Sequence, residues 1–527
     1  MQKMKRLLAV LLTLVMVLSL AACAPADNAD DTKPADTKPA DTKPADTEPS
    51  VDPHAEAVTV RWLVPDSALA GRDEIHGAVA DYVKEKLNID LEMVYIENGG
   101  SPETIMVTGS GWDLGYCDAS VFVNMAARNA FLDLGPYVEQ GYLPNVTALL
   151  TEDQQKAHVV NGKQFGFAAV KDLVEGWDYM FNLAVIEDEL GLTAPTEWQS
   201  CFDLIDHWYD VKEALVAKGD TETVPGGYGI RNMPAWFQVD GLIGTWNNTL
   251  VCTNIDGVNG YDDIDESTVF CPYFTEDFKE WVALRNKLYE DGIIFGIKRP
   301  SDETRTFGNQ GVLWQASIGN LYWDPNSYEF RSDMLNQKYS YNYSGYVQAV
   351  SIVVNANTEN PERVLELMDL MYSDEYINNT LRFGIEGIDW EDADNDGAVE
   401  WLERNADPDN NNKYWRHWYG SGRSYNLLLG KVDASEDPEK FVTEMKKANE
   451  EGVPSPNLGF SVDQTNIVNE VTACSALVTQ YMDMLMYPAS MADYEATLAE
   501  FQEKLKANGI DKIIADVQAQ LDAFHAG

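Results

Sequence analysis

Val58-Thr-Val-Arg-Trp-Leu-Val64 alternates as a half-buried strand does, and Asn88-Ile-Asp-Leu-Glu-Met-Val-Tyr95 alternates again. Between them, Asp73 to Leu87 carries Ile75, Val79, Tyr82, Val83 and Leu87 at helical spacing. Strand, helix and strand with short connections make a βαβ unit, so a parallel sheet begins here and the chain reads as α/β. A third strand, Asp113 to Cys117, and a helix, Val121 to Ala130, continue the pattern. Asn161-Gly-Lys163 reads as a turn before the strand Gln164 to Ala168.

A second α/β region follows. Thr196 is placed to cap a helix over Glu197 to Ala217, and Thr275 to cap Glu276 to Tyr289, which Gly292 stops. The strand Val347 to Val354 leads to Asn360-Pro361, with Pro at the first helical position. The end is helical, with Gly509 between two amphipathic segments.

The 527 residues suffice for two to four domains' worth of core, and 45% apolar with 24% charged residues is a globular balance. Acidic residues outnumber Lys plus Arg by 86 to 38, a net charge of −48. That argues against nucleic acid as a partner, which needs a basic face, and against a polybasic lipid-binding patch. The 6 His and 6 Cys form no CxxC or HExxH, which argues against a zinc enzyme.

Lys3, Lys5 and Arg6 precede an apolar run, Leu7 to Leu20, of signal-peptide length. Leu20-Ala-Ala-Cys23 resembles the bacterial lipobox, which implies a lipid on Cys23 once residues 1–22 are removed. Asp31-Thr-Lys-Pro-Ala35 then recurs at Asp36 and Asp41 and degrades at Asp46, so residues 23–56 read as a Pro-rich tether without a core. The expected location is the outer face of the cell membrane, held only through the lipid. Five Cys remain after Cys23, an odd number: a Cys252–Cys271 disulfide and buried free thiols are both open.

Several short stretches, in order, carry a family resemblance. They are Ile105-Met-Val-Thr-Gly-Ser-Gly-Trp-Asp-Leu114, Leu132-Asp-Leu with Leu143-Pro-Asn145, and Asn161-Gly-Lys163 with Phe165-Gly166. Tyr179-Met-Phe-Asn182, Leu190-Gly-Leu-Thr-Ala-Pro-Thr-Glu-Trp198, Asn360-Pro-Glu362, Phe383-Gly-Ile-Glu-Gly387 and Gly509-Ile-Asp511 follow. Together they resemble the extracellular solute-binding proteins of family 1, the maltose-binding-like receptors of ABC importers, over about 57 to 525. Trp112 stands where that family has Pro, and Phe167-Ala168 follows Gly166 without the family's Pro.

The resemblance implies two α/β lobes of the periplasmic-binding-protein type closing on ligand about a hinge. Lobe one would be 57–168 plus 305–355 and lobe two 169–304 plus 356–527, with the strands Gln164 to Ala168 and Val347 to Val354 feeding the hinge. It implies a monomer that hands its ligand to permease subunits. Asp113 falls at the family's cleft, and Trp177, Asp178, Trp314 and Glu386 match positions near its ligand. Trp112, Trp236 and Trp323 join the candidates as aromatic residues in loops or at strand ends, where a ring can stack on the C–H face of a sugar. Trp198, Trp208 and Trp281 sit on amphipathic helices and read as core.

One motif points to a metal. Asp392-Ala-Asp394-Asn-Asp396-Gly-Ala398-Val-Glu-Trp-Leu-Glu403 matches the EF-hand loop at each fixed position, with Asp392, Asp394, Asp396, the Ala398 carbonyl and Glu403 as ligands for a structural Ca²⁺. A hairpin turning at Asn395-Asp-Gly397 is the competing reading. Asp407-Pro-Asp-Asn-Asn-Asn412 reads as a solvated loop.

Three functions follow in order: a lipid-anchored receptor for an oligosaccharide, a receptor for a peptide or other polar solute, and a two-carboxylate surface glycoside hydrolase. The ordered motifs favour capture without catalysis.

Overall fold

The computed structural model describes residues 54–526, apart from 66–70, 97–100, 176, 182–183, 195–204, 227–238, 245–247, 256–263, 297–312, 318–340, 403–424 and 434–437. Val58–Pro65 (β1), Arg72–Leu87 (α1) and Ile89–Ile96 (β2) form the expected βαβ unit, parallel from Val58 opposite Ile89 to Pro65 opposite Ile96. Leu114–Cys117 (β3) adds parallel on the other side of β1. Asp118 then caps Ala119–Ala127 (α2), its carboxylate accepting from the amides of Ser120 and Val121. Phe167–Ala168 (β4) and Ser351–Val354 (β5) complete a five-stranded sheet in the order β2-β1-β3-β5-β4. β5 runs antiparallel to both of its neighbours.

Alternation along β1 divides the first core. Val60, Trp62 and Val64 point to one face of the sheet, and Leu63 points to the other with Met106, Phe122 and Met125. Pro361–Ser373 (α3) and Glu375–Phe383 (α4, capped by the Asp374 carboxylate) cover the Val60 face. This differs from the sequence reading, which puts everything after 356 in lobe two. Val364, Met368 and Met371 lie on one side of α3, and that side is buried against the first sheet.

A second core gathers Trp208, Phe278 and Trp281 with residues of the last three helices, Val468–Met486, Tyr494–Ala507 and Ile510–His525. Its ladder is Val239–Ile243 antiparallel to Val251–Asn254. Thr275 caps Glu276–Glu290, as expected, accepting from the Phe278 amide at 3.2 Å. Cys252 and Cys271 are both buried free thiols, so the thiol alternative holds for this pair; burial pushes both thiols above their usual range.

Between the cores the chain crosses side by side. Val170 N–H donates to the Tyr425 carbonyl and Glu175 N–H to that of Tyr341, while Tyr341 pairs in parallel with Val453. The strand expected from Val347 begins only at Ser351, because Ser344–Val347 is a helical turn and Gln348–Val350 a 3-10 turn. The Gln348 amide donates to the Ala157 carbonyl, and Ser351 Oγ donates back to the Gln348 carbonyl at 2.9 Å. Among the described residues no helix is long and apolar enough to cross a membrane.

Candidate functional site

A cleft of about 220 Å³ opens where the two cores and the crossing segments meet. The first core contributes the start of α2, with Ser120, Val123 and Asn124. The second contributes Asp240, Leu242 and Ile243 from the Val239–Ile243 strand, and the turn at Gly244. Gln348 comes from the crossing turn, and Asn457, Phe460 and Ser461 from the segment leading into the last helices. The Phe460 ring is braced by Phe524 at a centroid distance of 5.5 Å.

Asp240 is the buried charge of this cleft. Asn457 Nδ2 donates to its Oδ2 at 3.2 Å, and the Ser455 hydroxyl donates to the same oxygen. Burial raises its pKa to about 6, against the pull of those two hydrogen bonds. Asn457 Nδ2 also donates to Thr253 Oγ1 at 2.8 Å, and Asn457 Oδ1 meets His525 Nε2 at 2.9 Å. The wall is therefore amide, hydroxyl and carboxylate groups set beside an apolar floor. Such a surface suits a polyhydroxylated ring, which offers hydroxyls at its rim and C–H faces above and below.

Of the residues named from the sequence, Trp112, Asp113 and Glu386 lie away from this cleft, Trp177, Asp178 and Trp314 share one ladder, and Trp236 and Trp323 lie outside the described residues. Trp112 is 1% exposed and packs edge-on against Phe131, at 6.3 Å between centroids, within the first core. Asp113 ties strands together: its Oδ2 accepts from the Arg61 amide at 2.9 Å and its Oδ1 from Thr358 Oγ1 at 2.8 Å. Glu386 is exposed in the turn after α4, bridged through its backbone to Trp390. None of these three lines the cleft. Trp177–Phe181 and Leu313–Ser317 form one antiparallel ladder, with Trp177 opposite Ser317, Asp178 opposite Ala316 and Trp314 opposite Met180. Trp236 and Trp323 lie outside the described residues. Trp208 and Trp281 are core, as read; Trp198 is outside the described residues.

The acidic motif forms a hairpin. Trp390–Glu391 pairs antiparallel with Ala398–Trp401, and Asn395 (φ 61°) and Gly397 (φ 98°) turn the chain. Among the described residues no helix leads directly into the loop, as an EF-hand requires: the preceding helix ends at Phe383, and Trp390–Glu391 is a strand. The carboxylates of Asp392, Asp394 and Asp396 nevertheless bring oxygens within 4.8 Å of one another. Lys431 Nζ lies 2.6 Å from Asp392 Oδ2 and holds that carboxyl below its usual range. The Ala398 amide donates to Asp396 Oδ1 at 2.8 Å, and Glu403 lies outside the described residues.

Sequence reading missed Asp240, Asn457, Gln348 and Ser461. One local sign was available: in Val239-Asp-Gly-Leu-Ile243 a carboxylate interrupts an apolar strand.

Comparison with known proteins bears on this geometry. Residues 456–526, which begin at the cleft edge and run through the last helices, match a family model described as a domain of unknown function, DUF3502. A carbohydrate ABC transporter substrate-binding protein of Streptococcus pneumoniae is 22% identical over 465 residues, covering 86% of this chain and 88% of that protein. Among solved structures, the N-glycan transport solute binding protein NgtS of S. pneumoniae superposes with a TM-score of 0.68 at 19% identity, over 89% of this chain and 99% of its own. Its complex with Man1GlcNAc gives 0.64 at 19% identity, over 89% and 100%. An extracellular solute-binding protein of Bifidobacterium longum subsp. infantis gives 0.53 at 15% identity, over 88% and 98%. The shared fold is the two-lobed one.

Proposed function

We propose that the chain, similar at 22% identity to a carbohydrate ABC transporter substrate-binding protein and sharing the NgtS fold, is an extracellular solute-binding protein of family 1 that captures an oligosaccharide in the cleft around Asp240 and delivers it to the permease of an ABC importer. The observation that carries this reading is the make-up of the cleft: both cores and the crossing segments each supply polar side chains to one space. A ligand touching all three is held best when the lobes are closed, so ligand affinity itself drives closure. Asp240 is the one carboxylate among the described lining residues. The relatives are named as transporter substrate-binding proteins, which favours capture over turnover.

The names of the relatives point the same way, since NgtS structures hold Man1GlcNAc and Man5GlcNAc. The proposal extends to location: lipid on Cys23 and the tether to residue 56 would hold the receptor at the outer face of the membrane. It also extends to a structural Ca²⁺ at Asp392, Asp394 and Asp396, whose oxygens are spaced as a cation's ligands can be.

Thermal unfolding against Man1GlcNAc, Man5GlcNAc, other oligosaccharides and a peptide set tests the function. A ligand that binds only the folded state adds ~2.7 kcal/mol at a hundredfold over its Kd. A shift with glycans and no turnover is expected. A shift with peptides alone would replace the sugar reading, and sustained glycoside cleavage would replace the receptor reading. For the location, Cys23→Ala should release the protein from the membrane fraction; retention would refute the anchor.

A further inference from the structure

Two polar atoms of the cleft wall take no hydrogen bond from the described residues. Asp240 is 2% exposed, yet both of its hydrogen bonds end on Oδ2, from Ser455 and Asn457, and none reaches Oδ1. Ser461 lines the same cleft, and its Oγ is buried without a hydrogen-bond partner. A buried polar atom is nearly always satisfied, so the bare Ser461 Oγ, beside an Asp240 oxygen that takes no hydrogen bond from the described residues, points to a ligand that completes both. No Lys, Arg or His stands among the described lining residues to balance the carboxylate.

We propose that Asp240 sets the chemical class of the ligand: its Oδ1 accepts from the hydroxyls of an uncharged sugar, with Ser461 Oγ as the second contact, and the same carboxylate rejects acidic glycans. The reasoning rests on the receptor reading above and deepens it. An uncharged sugar supplies hydroxyl donors to the open oxygen at no electrostatic cost. A uronate or sialate brings a second carboxylate against a buried one, in a space whose described lining holds no Lys, Arg or His, and there like charges repel strongly. A site built to hydrogen-bond one partner discriminates hard against another that leaves its groups unmatched.

Titration calorimetry on the full mature chain tests this with two probes, Man5GlcNAc and the same glycan oxidised at C6 of its terminal mannoses to uronates. The wild type should bind the neutral glycan and disfavour the uronate by about a hundredfold or more. Asp240→Asn, which keeps the shape, should lose roughly tenfold to a hundredfold for the neutral glycan and narrow the gap to the uronate. Ser461→Ala should lose roughly tenfold or less. A thermal melt of each variant separates lost contacts from lost folding. Wild-type binding that Asp240→Asn leaves intact, with the same gap, overturns this inference and spares the receptor. A wild type that binds no glycan overturns the receptor reading, and this inference falls with it.

Discussion

Asn457 Nδ2 donates to Asp240 Oδ2 at 3.2 Å, across 217 positions of sequence, and fixes the second-core strand to the segment that re-enters that core. The same amide holds Thr253 on the neighbouring strand and His525 at the end of the last helix. One buried side chain thus ties its own segment to both strands of the ladder and to the last helix. Its value is cooperative, because losing it strands several polar groups together.

Asn457→Ala should therefore destabilise the chain by ~2–3 kcal/mol, from the loss of buried hydrogen bonds. Urea unfolding measures it as a fall in midpoint at unchanged slope. A change under about 0.5 kcal/mol would show that water replaces the amide without cost.

Asp240 makes stability depend on pH in a direction opposite to most carboxylates. Its folded pKa of about 6 stands above the ordinary 3.8, so the native state holds the proton through that window while the unfolded chain has released it. Stability from this group is full below the unfolded value and is lost as pH rises to about 6. The neighbouring titratable groups Tyr341, Tyr343 and Cys252 are all pushed up by burial and stay neutral across the window. Asp240→Asn should hence be more stable than the wild type above pH 6, by up to ~3 kcal/mol, and the difference should shrink towards pH 4. Glycan hydroxyls favour the ionised acceptor, so wild-type affinity should rise between pH 5 and 7 and stay level in the variant. Unfolding free energies and calorimetry at matched pH values check both trends.

The scaffold was legible in the sequence where its physics is local. Alternation in β1 and β2, helical spacing in α1 and the caps at Thr275 and Pro361 depend on near neighbours, and the structure has them. The cleft was not legible, because its partners meet only after folding. Trp112 and Asp113 stand at a predicted strand start, where a ligand-facing and a core-facing side chain look alike. After folding, Phe131 packs on the Trp112 ring and the Arg61 amide donates to the Asp113 carboxylate. Asn457 and Ser461 belong to no motif and gain meaning only from Asp240, more than two hundred positions away.

The hairpin at Asp392–Asp396 predicts a response to chelator. Three carboxylates share one small space, and one Lys431 ammonium offsets one of them. If Ca²⁺ takes the remaining charge, removing it should lower the melting point and adding it back should restore it. The linkage is worth ~2.7 kcal/mol at a hundredfold over its Kd. Asp394→Asn with Asp396→Asn should abolish the response, whereas Lys431→Met should strengthen it by removing a competing cation. Indifference of the wild type to chelator would leave the motif a hairpin held by its own turn.

Gly244 provides a test of the cleft that touches no polar group. It sits at the turn after the Asp240 strand with φ 80°, a conformation that side chains with a Cβ rarely adopt. A Cβ placed there would fall 2.1 Å from the Asn248 carbonyl oxygen, well inside contact distance. Gly244→Ala must shift this turn, and the turn lines the cleft beside Leu242 and Ile243. The second core is anchored elsewhere, by Trp208, Trp281 and the last three helices, so the chain should still fold. The expected outcome is a stability loss of ~1–3 kcal/mol from backbone strain, with glycan affinity down by at least about tenfold. Circular dichroism and calorimetry on one preparation separate the two effects. Full affinity in a strained but folded variant would move the ligand away from this wall of the cleft, and with it the role given to Asp240.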